Sequence, residues 1–207
     1  MRRRRFEHLR GVIDSLREPV RILDVGGTHG YWVGMWGEEL PPGIALTIAN
    51  LMPPTIVGES PARVTFTTSD ACALTEFGDQ SFDLVFSNSV IEHVGDRAQQ
   101  QRMADAVRRV GRAYVVQTPN RWFPIEPHFL MPGFQFLPAG VRASLVQRKA
   151  RGWEPQIADR AAALAHVQGI QLLSARDMQR LFPDAQLRRE RIGGLTKSLT
   201  VVGGVPG

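Results

Sequence analysis

Cysteine is nearly absent from this 207-residue chain. The single Cys72 excludes a disulfide framework, a cysteine-built zinc site and a CxxC redox pair. Lysine is almost as rare: 23 of the 25 basic residues are arginine, leaving Lys149 and Lys197. No apolar run approaches the roughly 18 residues that a membrane span needs. The amino terminus is basic but lacks the apolar stretch of a secretory signal. There is no internal repeat, and no low-complexity segment beyond the Arg2–Arg5 run. A soluble, cytoplasmic chain is therefore expected, and its length suits one domain, 1–207, around a single sizeable core.

The net charge of +5 is unevenly spread. Residues 1–21 carry 7 Arg against 3 acids, and residues 22–141 carry 7 Arg against 12 acids. Residues 142–191 then carry 9 Arg and 1 Lys against 5 acids. The middle is acidic and the ends are basic. Nucleic-acid binders concentrate positive charge on the working face, with aromatics interleaved. That pattern is missing, so no DNA partner is expected, and RNA is disfavoured. The Arg2–Arg5 run is expected to be a solvated tail, with contact to an anionic partner as the other reading.

Periodicity outlines the elements. Phe6, Leu9, Ile13 and Leu16 recur at three- and four-residue steps, predicting an amphipathic first helix within residues 1–19. Its apolar face has two candidate partners, its own core or a second subunit in a homodimer. Short apolar, β-branched runs follow at Val20–Val25, Ile44–Ala49, Val64–Thr67, Phe82–Phe86 and Ala113–Gln117. A helix from Asp96 as N-cap to Gly111 as C-cap separates the last two. Strands alternating with helices read as a parallel sheet covered on both faces. From Pro119 to Gly140 five prolines sit among Trp122, Phe123, Phe129, Phe134 and Phe136. Such a stretch resists regular structure, and its aromatics are expected to pack inward or over a cleft. Val141–Ala165 reads as helical, Ser174–Phe182 as a short capped helix, and Ala185–Ile192 with Lys197–Val202 as a terminal strand pair.

The richest segment is Ile22-Leu23-Asp24-Val25-Gly26-Gly27-Thr28-His29-Gly30. A buried strand runs into a glycine turn that opens a helix, and free N–H groups there favour a carboxylate or phosphate. A dinucleotide fingerprint would require G-x-G-x-x-G and an acid ending the second strand. That strand ends in Asn50, so NAD or FAD is a poor fit.

The segment instead resembles motif I of the class I S-adenosylmethionine-dependent methyltransferases, with Asp24, Gly26 and Gly30 matching and Thr28 replacing the middle glycine. Further stations follow in register. Asn50 falls where the family has an acid on the ribose hydroxyls, and Asp70-Ala71 resembles the pair near the adenine amino group. Phe82-Asp83-Leu84-Val85 through Glu92-His93-Val94 is similar to the fourth strand and loop of the small-molecule, type 11-like and ubiquinone-pathway-like branch. Val115-Val116-Gln117-Thr118-Pro119-Asn120 resembles the fifth strand and its exit.

The resemblance implies a doubly wound, Rossmann-like α/β fold. Its mostly parallel seven-stranded sheet would have an antiparallel last strand and S-adenosyl-L-methionine at the strand ends. Gly26, Thr28 and Gly30, with Gly27 in the same turn, would approach the methionine moiety, and Asp24 would hold the turn. Asn50 with Leu51 would meet the ribose, Asp70 and Ala71 the adenine, and Ser87 would border the reacting methyl. His93 and His128 are the candidate catalytic bases for a hydroxyl acceptor. Glu92 is expected in solvent, and His29 is expected to pack by the methionine end. Residues 119–165 would cover a small-molecule acceptor beneath Trp122–Phe136. Some relatives carry E-x-x-E-H here as metal ligands. In this chain Ser89 replaces the first acid and no further histidine follows in the next turns, so no metal is expected. Other readings are an RNA or protein methyltransferase using the basic ends, and a noncatalytic scaffold suggested by Thr28 and Asn50.

Overall fold

The computed structural model describes residues 2–52 and 62–205. Five strands pair in parallel in the order β3-β2-β1-β4-β5: β1 (Val20–Val25), β2 (Ile44–Asn50), β3 (Val64–Thr68), β4 (Phe82–Asn88) and β5 (Gly111–Pro119). The sheet is completed by β8 (Gln186–Ile192) and β9 (Leu195–Gly203). The last strand, β9, lies antiparallel between β5 and β8. This is the doubly wound α/β architecture that the resemblance implies.

Strand alternation divides the core. Ile22 and Leu84 join one apolar cluster, with Trp32 and Met35 of α2 (His29–Trp36). Their neighbours Leu23 and Val85 join a second cluster on the opposite face, with Met103 and Val107 of α3 (Arg97–Val110). Both faces are covered, so the central strands carry near-continuous apolar residues. The Asp96 side chain accepts from the Gln99 amide, and Gly111 ends α3, as its capping residues predict.

The first helix, α1 (Arg2–Asp14), begins earlier than its apolar period suggests. Leu9, Val12 and Ile13 are buried against this chain's own sheet. The Arg2–Arg5 run is therefore helix rather than tail. Arg5 is half-buried, and its Nη2 lies 2.6 Å from Glu190 Oε2 on β8.

The expected helix over Val141–Ala165 is two helices, α4 (Ala139–Arg148) and α5 (Arg160–Gly169). Gly152, in the left-handed region at φ +57°, and Pro155 break it between them. The Asp159 side chain then caps α5 by accepting from the Ala162 amide. The proline-rich stretch forms a small hairpin, β6 (Ile125–Glu126) with β7 (Met131–Pro132). Phe129 and Phe134 turn inward to a third apolar cluster with Ala143, Val146, Ala163 and Val167. Trp122 and Phe136 point outward and stack with ring centroids 5.6 Å apart. Ser174 and Asp177 form a capping box at the start of α6 (Ala175–Leu181).

Candidate active site

The carboxyl ends of β1 to β4 surround a cleft of about 520 Å³. Gly26 follows β1, Asn50 and Leu51 end β2, Asp70 and Ala71 follow β3, and Ser89, Val90 and His93 follow β4. Open parallel sheets place ligands in such a crevice because loops and free backbone amides gather there. Five of the expected cofactor residues thus line one wall-to-wall space with His93. Cys72 and Gln99 line it too.

The other expected residues do not line this cleft. Asp24 is buried, and its Oδ2 accepts from Trp32 Nε1 at 2.6 Å. Burial pushes its carboxyl up to about 7, against the lowering effect of that hydrogen bond. Its Oδ1 has no hydrogen-bond partner among the described residues. Gly27 lies so close that a Cβ there would fall 1.7 Å from Asp24 Oδ2. Asp24 therefore occupies the space that a side chain at 27 would need. Gly26 has φ +76°, and a Cβ on it would meet Val90 Cγ2 at 2.5 Å. The Asn50 amide donates to the Gly27 carbonyl at 3.0 Å, which ties the end of β2 to the turn. Thr28 is exposed as the N-cap of α2, Gly30 faces open space, and the His29 ring lies edge-on to Phe66. Ser87 is buried and donates to the Val25 carbonyl, locking β4 to β1 without lining the cleft.

After β4 the chain turns sharply. Ser89 is in the left-handed region at φ +58°, which a non-glycine residue adopts only when its surroundings compensate. Its amide and hydroxyl both bond Gln117 of β5, at 2.9 and 3.0 Å. The turn carries Glu92 inward and His93 to the cleft. Glu92 is fully buried, contrary to its expected solvation, because Thr118 Oγ1 donates to its Oε2 at 2.9 Å and the Gln171 amide bonds its carbonyl. Its Oε1 has no partner among the described residues. Burial pushes this carboxyl up to about 7, against the Thr118 bond and the nearby His128.

His128 arrives from the proline-rich segment. Its Nε2 lies 3.0 Å from His93 Nε2, and its Nδ1 lies 2.7 Å from Glu126 Oε1. Glu126 is itself buried, and its Oε2 accepts from the amides of His128 and Phe129. Burial alone would lower the pKa of His128, but the bond and charge of Glu126, with Glu92 and Glu154 beyond, hold it above the ordinary histidine range. Partial desolvation of its ring against the cleft wall and the charge of His128 pull His93 down to about 4, although the residue as a whole is exposed. One ligand atom from each of Glu92, His93 and His128 falls within 4.8 Å of the others, a spacing that can hold a cation. The two histidines are 35 residues apart, so no local motif joins them. Sequence reasoning missed this convergence, and with it the placement of Glu126.

The glycine turn, the wall that carries Asp70 and the histidine end bound one cleft. Residues 23–114 match the family model described as "Methyltransferase domain". A 64-residue stretch is 36% identical to an uncharacterized protein of Mycobacterium tuberculosis (strain H37Rv), covering 30% of this chain. The matched stretch spans 22% of the length of that curated relative. A SAM-dependent methyltransferase from Methanosarcina mazei superposes with a TM-score of 0.55 at 13% identity, over 92% of this chain and 94% of that one. The N-methyltransferase NodS from Bradyrhizobium japonicum WM9, in complex with S-adenosyl-L-homocysteine, superposes with a TM-score of 0.55 at 13% identity. That superposition covers 97% of this chain and 85% of the other. At such identities the structural likeness shows a shared fold.

Proposed function

We propose, on the premise that residues 23–114 of this chain are a methyltransferase domain of the class I, S-adenosylmethionine-dependent type, that the protein methylates a hydroxyl on a small, apolar or aromatic acceptor. The observation that carries the reading is the polar end of the cleft, where His93 and His128 meet beside the glycine turn.

When bound, S-adenosyl-L-methionine supplies an electrophilic methyl group. Gly26 and Gly30 leave room for its backbone-like amino-acid end, and the orphaned Asp24 Oδ1 behind them favours a cationic amine nearby. Asn50 stands at the ribose station, and Asp70 and Ala71 bound the adenine end. Once His128 is neutral, its Nδ1–H donates to Glu126, which leaves the Nε2 lone pair facing His93. His93 then donates through Nε2–H, and its Nδ1 is free to take the acceptor's proton. Loss of that proton to His93 would leave the acceptor oxygen as the nucleophile, and in-line displacement of the methyl group from a bound cofactor would need no further protein group. Residues 119–165 would form the acceptor wall.

A second reading rests on Glu92. Glu92 has a buried carboxylate oxygen without a partner among the described residues, and one of its oxygens lies within 4.8 Å of a nitrogen of each histidine, which fits a divalent cation held by Glu92, His93 and His128. Relatives of the E-x-x-E-H type place a metal at this station, and Ser89 would here be replaced as a ligand by His128. Such an ion acidifies a bound hydroxyl. The Glu126–His128 bond is the outer contact that metal-ligating histidines usually make. Calorimetric titration with Mn²⁺ separates the two readings: binding lost in Glu92→Gln favours the ion. Methyl transfer that survives exhaustive chelation favours the histidine relay. Either reading predicts that His93→Ala abolishes methyl transfer while S-adenosylmethionine still binds, and a variant with undiminished turnover would contradict both.

A further inference from the structure

We propose that the outer face of residues 119–153 docks on an anionic phospholipid membrane, so that the acceptor is an amphiphile presented from a lipid surface. The acceptor consequence rests on the methyl-transfer reading above; the docking does not.

Six of the ten exposed large apolar side chains among the described residues fall in this segment: Trp122, Ile125, Leu130, Phe136, Val141 and Trp153. Trp153 is 81% exposed and Trp122 65%. Singly scattered apolar residues on a surface need no explanation, but a concentration of tryptophans and aliphatics marks an interaction site. The backbone gathers them into two groups, one at each end of the β6–β7 hairpin. The Trp153 amide donates to the His128 carbonyl, and Gly152 is pressed against the backbone of Phe129 and Leu130. Trp153 and Leu130 therefore share one end of the β6–β7 hairpin. At the other end Gln135 bonds the carbonyls of Arg121 and Phe123, and Trp122 stacks on Phe136.

Charge points to the occupant. Residues 119–153 carry Arg121, Arg142, Arg148, Lys149 and Arg151, and their sole acid is Glu126. That acid is buried on the inner side against His128. These residues therefore expose no carboxylate, and the adjoining Glu154 is paired with His166. Arg148 and Lys149 are exposed beside the Trp153 end, and the Arg121 guanidinium lies 5.8 Å from the Trp122 ring centroid. Tryptophan flanked by arginine and lysine is the composition that settles at the headgroup level of anionic lipid. A second protein copy would need carboxylates opposite these cations, and this segment exposes none. The hairpin alternates as a strand must, with Ile125 outward and Glu126 inward. One element thus faces lipid on one side and carries His128 to the cleft on the other.

Flotation of the purified full chain with vesicles tests the proposal, using phosphatidylcholine alone and three parts phosphatidylcholine to one part phosphatidylglycerol. Tryptophan emission is read in parallel. Selective flotation with the phosphatidylglycerol vesicles and a blue-shifted emission are expected. Trp153→Ser with Leu130→Ser should weaken partitioning about tenfold. Arg148→Glu with Lys149→Glu should weaken it by at least about fivefold per cation. The sites are exposed, and circular dichroism confirms that each variant folds. Absence of flotation by the folded protein overturns the proposal, as does flotation indifferent to Trp153 and Leu130. Lipid-free dimerisation abolished by Trp153→Ser would assign the face to a second copy. Retention on immobilised RNA lost in the Arg148 and Lys149 variant, without flotation, would assign it to a polyanion. Calorimetry with S-adenosylmethionine, run without vesicles, reports separately on the methyl-transfer reading.

Discussion

The Nε2 atoms of His93 and His128 lie 3.0 Å apart, although one side chain leaves the loop after β4 and the other belongs to the hairpin beyond β5. Glu126 makes the contact specific. With Nδ1 of His128 engaged at 2.7 Å, only Nε2 can face His93. Glu126→Gln keeps the shape but removes the charge that fixes the tautomer. Methyl transfer should fall about a hundredfold, while affinity for S-adenosylmethionine stays within about twofold, because Glu126 does not line the cofactor cleft. Parallel turnover and calorimetric measurements check this, and equal losses in both would show a merely structural role.

Gly27→Ala should be among the most damaging single substitutions in the turn. Its Cβ would fall 1.7 Å from Asp24 Oδ2, and that carboxyl is pinned by Trp32. Overpacking of this kind costs about 1–3 kcal/mol. Chemical denaturation should show the loss, and S-adenosylmethionine binding should weaken even where the variant stays folded.

Asp24 makes the cofactor-free protein less stable as pH rises. Its folded pKa, raised to about 7, exceeds the unfolded value of 3.8. Between those values the folded chain holds a proton that the unfolded chain has released. The stability tied to this group therefore falls as pH rises through that window and levels off above it. Urea midpoints measured from mildly acidic to mildly alkaline pH should show a flatter profile for Asp24→Asn. Identical slopes in the two proteins would refute the assignment.

Arg5 and Glu190 show the opposite sign. Burial favours the protonated form of Glu190, but hydrogen bonds from Arg5 and Ser198 outweigh it and hold the carboxyl below its ordinary value. The stabilisation is present above 4.5 and is lost as pH falls through the lower, folded value. Glu190→Gln should cost about 1–2 kcal/mol at neutral pH, and should reduce the acid sensitivity of unfolding.

Much of this architecture was legible because local signals were strong. The run Val20–Val25 is the observed β1, and Asp96 and Gly111 mark both ends of α3 as their capping chemistry requires. The convergence of Gly26, Asn50, Leu51, Asp70 and Ala71 on one cleft was legible for a related reason, since they lie at strand ends that the parallel sheet brings together. Arg5 was misplaced because its partner, Glu190, is 185 residues away and no helical period reveals it. Glu92 was misplaced for the same reason: a carboxylate beside a loop histidine reads as solvated until Thr118 and the chain at Gln171 close over it. His128 was singled out as a residue, but its meeting with His93 depends on a hairpin amid prolines. Only tertiary packing through Phe129 and Phe134 sets where that hairpin lies.

Calorimetric titration of the purified protein with S-adenosylmethionine and S-adenosylhomocysteine, repeated on Gly26→Arg and Asp70→Ala, shows whether the cleft at the strand ends holds the cofactor. Saturable binding of both ligands is expected, abolished by Gly26→Arg, whose side chain must enter the space against Val90, and weakened by Asp70→Ala on the opposite wall of the cleft. Absence of binding by a demonstrably folded wild-type chain would contradict it, leaving a methyltransferase fold used as a scaffold.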